Sequence, residues 1–396
     1  MKIIDFLENK SREIFLEAKE ETLSIEPSEV ITALLLVSGT NLSALKDPTA
    51  VDVQKILKAG LKTKKVILAD AERYILKVND YGASLSAAIK IKKIIGSKAI
   101  KHIILSGRGT TGMALSKRVL EVINFSPANK KMRAYNPADL LIETARKIYG
   151  VSLKKKARTN TPDPTVINRS LMDFSKSTFN TKIQKELDDV RIKYFASLLK
   201  IKSANPTQKE IIAAVKKMDA AYEEKKKSGK KGEDKRPSQT FFNAKLLSEN
   251  NVFFKTIDTV LTKNKTVFLD AIVKEAFRIE LKDLLANDFE FFIVTGEGHL
   301  TPKGVIKVDP GKYYDFASAI EVLDDLLTKR SLTIGKTKGK THAFESGATS
   351  AKLFYTIYAN KVPIFNIDMR YKGKFESNPQ FFVFPTKQFV EVFKHG

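Results

Sequence analysis

Three side chains in one short stretch have the types and spacing for work on a phosphodiester. Asp139 stands early in the run Ala138-Asp139-Leu140-Leu141-Ile142-Glu143, and the next run, Tyr149-Gly150-Val151-Ser152-Leu153-Lys154, carries a hydroxyl and an ammonium two residues apart. Residues two apart in a strand share a face, so Ser152 and Lys154 project together. If the two runs pair, Asp139 and Lys154 meet at one end of a short sheet. Phosphodiester hydrolysis needs a hard cation to offset the phosphate charge, and carboxylate oxygens hold Mg²⁺. It also needs charge stabilisation in the transition state, which a lysine ammonium supplies. Asp139, Ser152 and Lys154 are therefore the candidate catalytic group, with Asp139 and Glu143 as candidate metal ligands.

The elements needed to position these groups follow from local pattern. The stretches 133–143 and 147–157 read as strands with only a few residues between them, a hairpin-like return. Before them, Ala83 to Ile95 reads as a helix closed by Gly96, Ile100 to Leu105 as a strand, and Met113 to Asn124 as a helix. Further upstream, residues 2–22 form an amphipathic helical pattern and Val51 to Leu61 a short helix. Downstream, helices are expected over 179–201, from a start at Asn205-Pro206 to about Lys226, over 251–263, 266–285 and 314–329. Phe289 to Val294 reads as a strand closed by Gly296-Glu297-Gly298, and Ile364 to Asp368 as another.

Charge is concentrated around the same hairpin. The chain of 396 residues carries a formal net charge of +24, with 56 Lys and 13 Arg. Residues 1–50 are net −4, whereas residues 51–180 are net +17. Six of the fourteen residues from Ala145 to Arg158 are basic and none is acidic. A charge gathered in one third of the chain is the footprint expected of a phosphate-binding surface. Lys155, Lys156 and Arg158 are its nearest members. Arg108, at a Gly-rich turn, and Arg370 and Lys372, alternating in a C-terminal strand, are the more distant candidates for nucleic-acid contact.

The stretch NPADLLI…GVSLKKK resembles the active-site hairpin of the PD-(D/E)XK, or restriction-endonuclease-like, nucleases, and looks particularly like bacteriophage members. In that family an Asp following Pro precedes Asp/Glu-x-Lys on the next strand. The resemblance covers about twenty-five residues. It implies a restriction-endonuclease-like mixed sheet flanked by helices, and a Mg²⁺- or Mn²⁺-dependent endonuclease acting on double-stranded DNA. Asp139 would be the metal ligand and Lys154 the catalytic lysine. Ser152 stands where the family carries an acid, so a non-catalytic nucleic-acid-binding or virion-associated protein is the alternative.

Gly107-Arg108-Gly109-Thr110-Thr111-Gly112 follows a strand and precedes a helix, the setting of a dinucleotide site. A nucleotide-cofactor enzyme is thus a third reading, although no acid lies about twenty residues on. Gly335-Lys-Thr-Lys-Gly339-Lys340-Thr341 has three residues between its glycines, one short of a P-loop, and reads as a basic loop. The four His are scattered without zinc-ligand spacing, and the absence of Cys excludes disulfides and Cys-ligated metal. No apolar run approaches a membrane span, and the N-terminus lacks a signal-peptide layout, so a cytoplasmic location is expected, that of a bacterial host if phage-encoded. The fold class expected is α/β (α+β): a nuclease-like core over 1–185, a helical connector and basic loop over 186–236, and a second α+β lobe over 237–396. Residues 225–239, charged and without a large apolar side chain, supply the linker. Cutting both strands would suit a homodimer.

Overall fold

Helix α1 (Pro27–Val37) is apolar on nearly every side, and every residue from Val30 to Val37 is buried, as an all-round apolar helix must be. The computed structural model describes residues 25–68, 70–105, 115–125, 138–156, 167–227, 236–246, 252–277, 288–329, 331–342, 352–370, 375, 379–389 and 394–395. Helix α2 (Ala50–Lys62) starts on a capping box: the Thr49 hydroxyl accepts from the Asp52 N–H while the Asp52 carboxylate accepts from the Thr49 N–H. Helix α3 (Tyr81–Ile95) stops at Gly96, whose φ of 68° is open to glycine at little cost. The helical pattern of residues 2–22 lies outside the described residues.

The described strands are β1 (Val66–Ile67), β2 (Ile100–Leu105), β3 (Leu140–Thr144), β4 (Ile148–Lys156), β5 (Ile167–Ser170), β6 (Phe289–Leu300), β7 (Ile306–Asp315), β8 (Leu332–Lys336), β9 (Lys352–Ala359), β10 (Val362–Arg370), β11 (Gln380–Pro385) and β12 (Lys394–His395). Seven form a mixed sheet in the order β1-β2-β3-β4-β6-β7-β12, parallel at β1/β2 and β4/β6 and antiparallel elsewhere. The other five form an antiparallel sheet, β5-β11-β10-β9-β8. The later helices are α4 (Lys117–Ile123), α5 (Leu171–Thr178), α6 (Thr181–Leu198), α7 (Gln208–Lys227), α8 (Pro237–Leu246), α9 (Val252–Lys263), α10 (Lys265–Phe277) and α11 (Phe316–Thr328).

Side-chain alternation makes the mixed sheet a middle layer. Ile103, Leu105, Leu140, Ile142, Tyr149, Val151, Phe292 and Val294 join α1–α3 in one core. Their neighbours Ile104, Leu141, Ile148, Phe291 and Ile293 join the later helices and the second sheet in the other. Because it is covered on both faces, the sheet reads in sequence as near-continuous apolar runs.

Four expectations are revised. The chain does not partition its sheets at 185 and 236: β6, β7 and β12 complete the sheet begun by β1–β4, and β5 belongs to the second sheet. Without β6, β4 would be an open edge, and its pairing over nine residues closes it. The start at Asn205-Pro206 is displaced, since Thr207 caps α7 by a reciprocal exchange with Glu210. Of the 225–239 linker, 225–227 end α7 and Pro237 opens α8, while 228–235 lie outside the described residues.

Gly296 and Gly298 do not end the strand either, because β6 runs on to Leu300. They let α3 lie directly against it. A Cβ on Gly296 would stand 2.0 Å from the Ala83 carbonyl oxygen, and one on Gly298 would stand 2.6 Å from Gly82 backbone. Backbone cannot yield as a side-chain tip does. Gly296→Ala is expected to lower stability by at least about 1–3 kcal/mol, read as a reduced urea midpoint. An unchanged midpoint would mean that α3 does not seat on β6.

Candidate active site on the mixed sheet

The hairpin forms as its sequence demands. β3 and β4 pair antiparallel with Leu140 opposite Val151, and the Asp139 N–H donates to the Val151 carbonyl at 2.8 Å. Asp139 is thereby fixed beside Ser152 at the mouth of the hairpin. Its Oδ2 accepts from the Ser152 hydroxyl at 3.1 Å and from the Leu153 N–H at 2.5 Å, and the Lys154 ammonium stands 3.9 Å from the same oxygen. All three interactions fall on Oδ2. Both charged side chains remain accessible, at 28% for Asp139 and 32% for Lys154. A ligand can reach them without displacing core.

Burial pushes the Asp139 carboxyl above its ordinary value of 3.8, while Lys154, the Leu153 N–H and the Ser152 hydroxyl pull it back. The raised value means that this group contributes stability when protonated, below about 3.8, and that the contribution is lost as pH rises through the folded-state value. Lys154→Met removes the main opposing charge. The Asp139 carboxyl is then expected to titrate at still higher pH than in the wild type, followed by carbon-13 NMR of its carboxyl carbon. An unmoved or lowered titration would show that the ammonium does not act on Asp139.

β6 brings residues that local sequence reasoning missed. Its parallel register sets Thr295 beside Lys154 and Glu297 beside Lys156. The Lys156 ammonium and a Glu297 carboxylate oxygen lie 3.8 Å apart, with side chains 5% and 4% exposed. Thr295 Oγ1 and Glu297 Oε1 are buried without a hydrogen-bond partner. The signal was present in the alternation Phe291-Ile293-Thr295-Glu297, which continues one face of the strand past the glycines.

Not every expected site residue joins Asp139. Glu143 lies four residues along, a separation of about 13 Å at the rise of a strand, too far to share one small cation. It is buried and paired with His102 Nδ1 at 3.3 Å. Lys155 points to the opposite face of β4, where Asp80 at 3.0 Å and Glu26 at 3.3 Å hold it. Lys156 is buried on Glu297 and offers no surface to DNA. Consecutive lysines in a strand must alternate faces, so this run was never a single cationic ridge. Arg370 sits on the second sheet with its guanidinium 4.4 Å from the Phe382 ring centre. Arg108, Arg158, Lys372 and the turn 107–112 lie outside the described residues. The 335–341 segment ends β8 and turns at Gly339, φ 72°; residues 343–351, which follow it, lie outside the described residues.

No family model, no curated protein and no solved structure matches the chain.

Proposed function

We propose that this protein is a metal-dependent endonuclease that hydrolyses DNA phosphodiester bonds on a restriction-endonuclease-like core. One observation carries the reading: a hairpin inside a helix-flanked mixed sheet brings Asp139 and Lys154 to 3.9 Å at an accessible mouth.

The residues present fit a hard divalent cation in its minimal form. Mg²⁺ keeps several waters and needs only one or two carboxylates together with substrate phosphate. Asp139 would hold Mg²⁺ or Mn²⁺, and when bound the ion supplies Lewis-acid neutralisation of the phosphate and activation of water. Ser152 and the Leu153 N–H fix the Asp139 carboxylate by hydrogen bonds to Oδ2. Lys154 places a positive charge beside the scissile phosphate, where negative charge grows in the transition state. Double-stranded DNA is the substrate of this reading, with a symmetric dimer delivering one site to each strand. No helix among the described residues is long and apolar enough to cross a membrane, and the reading places the activity in the cytoplasm of a bacterial host.

A second reading has its own observation. Ser152 supplies a hydroxyl where an acid is expected, and Glu143 lies too far along β3 to replace it, which favours a protein that binds DNA on this scaffold without turnover. Supercoiled plasmid incubated with the protein and Mg²⁺ or Mn²⁺ separates the two. Conversion to nicked or linear form that EDTA abolishes supports the nuclease. Retardation without cleavage supports the binder.

A further inference from the structure

The outer face of the second sheet combines cations with aromatic rings. On β10, Ile367 and Met369 are buried while Asn366 is exposed and Asp368 and Arg370 are half-buried, so alternate residues face outward. The register then sets out rows across three strands. Lys352, Arg370 and Gln380 form one row, Phe354, Asp368 and Phe382 the next, and Thr356, Asn366 and Phe384 the third. The face is open at its β8 edge, where a side chain added at Gly335 would meet nothing within 4 Å.

Aromatic rings and cations are interleaved on this face. The Lys352 and Lys340 ammonium groups stand 5.7 and 5.9 Å from the Phe354 ring centre, and the Arg370 guanidinium stands 4.4 Å from that of Phe382. The Phe382 and Phe384 ring centres lie 6.2 Å apart with an angle of 21° between their planes. These three cations face one acid, Asp368, among the described residues of these rows. The basic segment 335–341 thus contributes Lys340 to the platform.

We propose that this face binds single-stranded DNA, with unpaired bases stacking on Phe354 and Phe384 while Lys340, Lys352 and Arg370 track the phosphates. Charge complementarity selects a polyanion. Phe382 is buried beneath Arg370, while the half-buried rings of Phe354 and Phe384 select a polyanion whose bases are free, because a duplex keeps its bases stacked inside. The choice of DNA over RNA rests on the nuclease reading above; the preference for an unpaired strand rests on the face alone.

Fluorescence anisotropy with full-length protein at low salt tests this, using labelled oligothymidylate, a duplex of equal length and oligouridylate. The oligothymidylate is expected to bind tightest. Phe354→Leu with Phe384→Leu keeps apolar bulk but removes stacking, and is expected to weaken oligothymidylate binding about fivefold or more. Lys352→Ala with Arg370→Ala should make the salt dependence shallower, by about 0.7 in slope for each phosphate no longer neutralised. A duplex or oligouridylate that binds as tightly as oligothymidylate, or a folded Phe-to-Leu variant of unchanged affinity, overturns the proposal. Cleavage of plasmid without this preference sinks only the platform, and the preference without cleavage sinks only the nuclease.

Discussion

Lys154→Ala is expected to slow metal-dependent DNA cleavage by about 10²–10³-fold, the usual loss when one preorganised group that stabilises transition-state charge is removed. The residue is well placed for such an effect. The β3 pairing ends at Val151, and beyond it the Lys154 backbone is held by its register with Thr295 of β6. Its ammonium is 3.9 Å from Asp139 and one-third exposed, able to reach substrate. DNA affinity should change little, because one phosphate interaction among many is a small part of the electrostatic total. A fall in kcat with an unchanged Kd is therefore the expected split. Affinity falling in parallel with rate would make Lys154 a binding residue instead. The acid limb of the pH profile should also move upward in this variant, as the Asp139 carboxyl loses the charge that lowers it.

Removing Lys156 from the Lys156–Glu297 pair is expected to cost about 3–5 kcal/mol, as it leaves the Glu297 carboxylate buried without compensation. Both side chains are at most 5% exposed, and the pair crosses between β4 and β6 at 3.8 Å. Glu297 Oε1 makes no hydrogen bond, so charge is what the glutamate receives from its partner. Lys156→Met alone should lower the urea midpoint strongly, while Lys156→Met with Glu297→Leu should recover much of the loss, because the apolar pair has no charge left to desolvate. A double variant no more stable than the single would show that packing, not charge, sets the cost. The site depends on this pair indirectly, since it holds the strand that flanks Lys154.

The locally determined parts of the molecule were legible in the chain. The β3–β4 return, the helix closed by Gly96, the strand Ile100–Leu105 and the meeting of Asp139 with Lys154 follow from short-range pattern and strand periodicity. What long-range pairing decides was not. The lysine run at 154–156 has three different fates because its partners, Asp139, then Asp80 with Glu26, then Glu297, come from distant segments. Glu143 shares a face with Asp139 but finds His102 on β2 before any metal. Gly296 and Gly298 resemble a turn in sequence, yet their missing side chains admit α3, a need visible only once the helix is packed. The interleaving of β5 with β8–β11 is equally a matter of tertiary pairing, which no local signal near Ile167 announces.

The most direct test of the central claim compares wild type with Asp139→Ala on supercoiled plasmid in Mg²⁺ or Mn²⁺, at equal folded fraction. The expected result is EDTA-sensitive nicking by the wild type that falls to background in the variant while plasmid retardation persists. Nicking that survives in Asp139→Ala, or a wild-type protein that neither binds nor cleaves DNA at low salt, would contradict it.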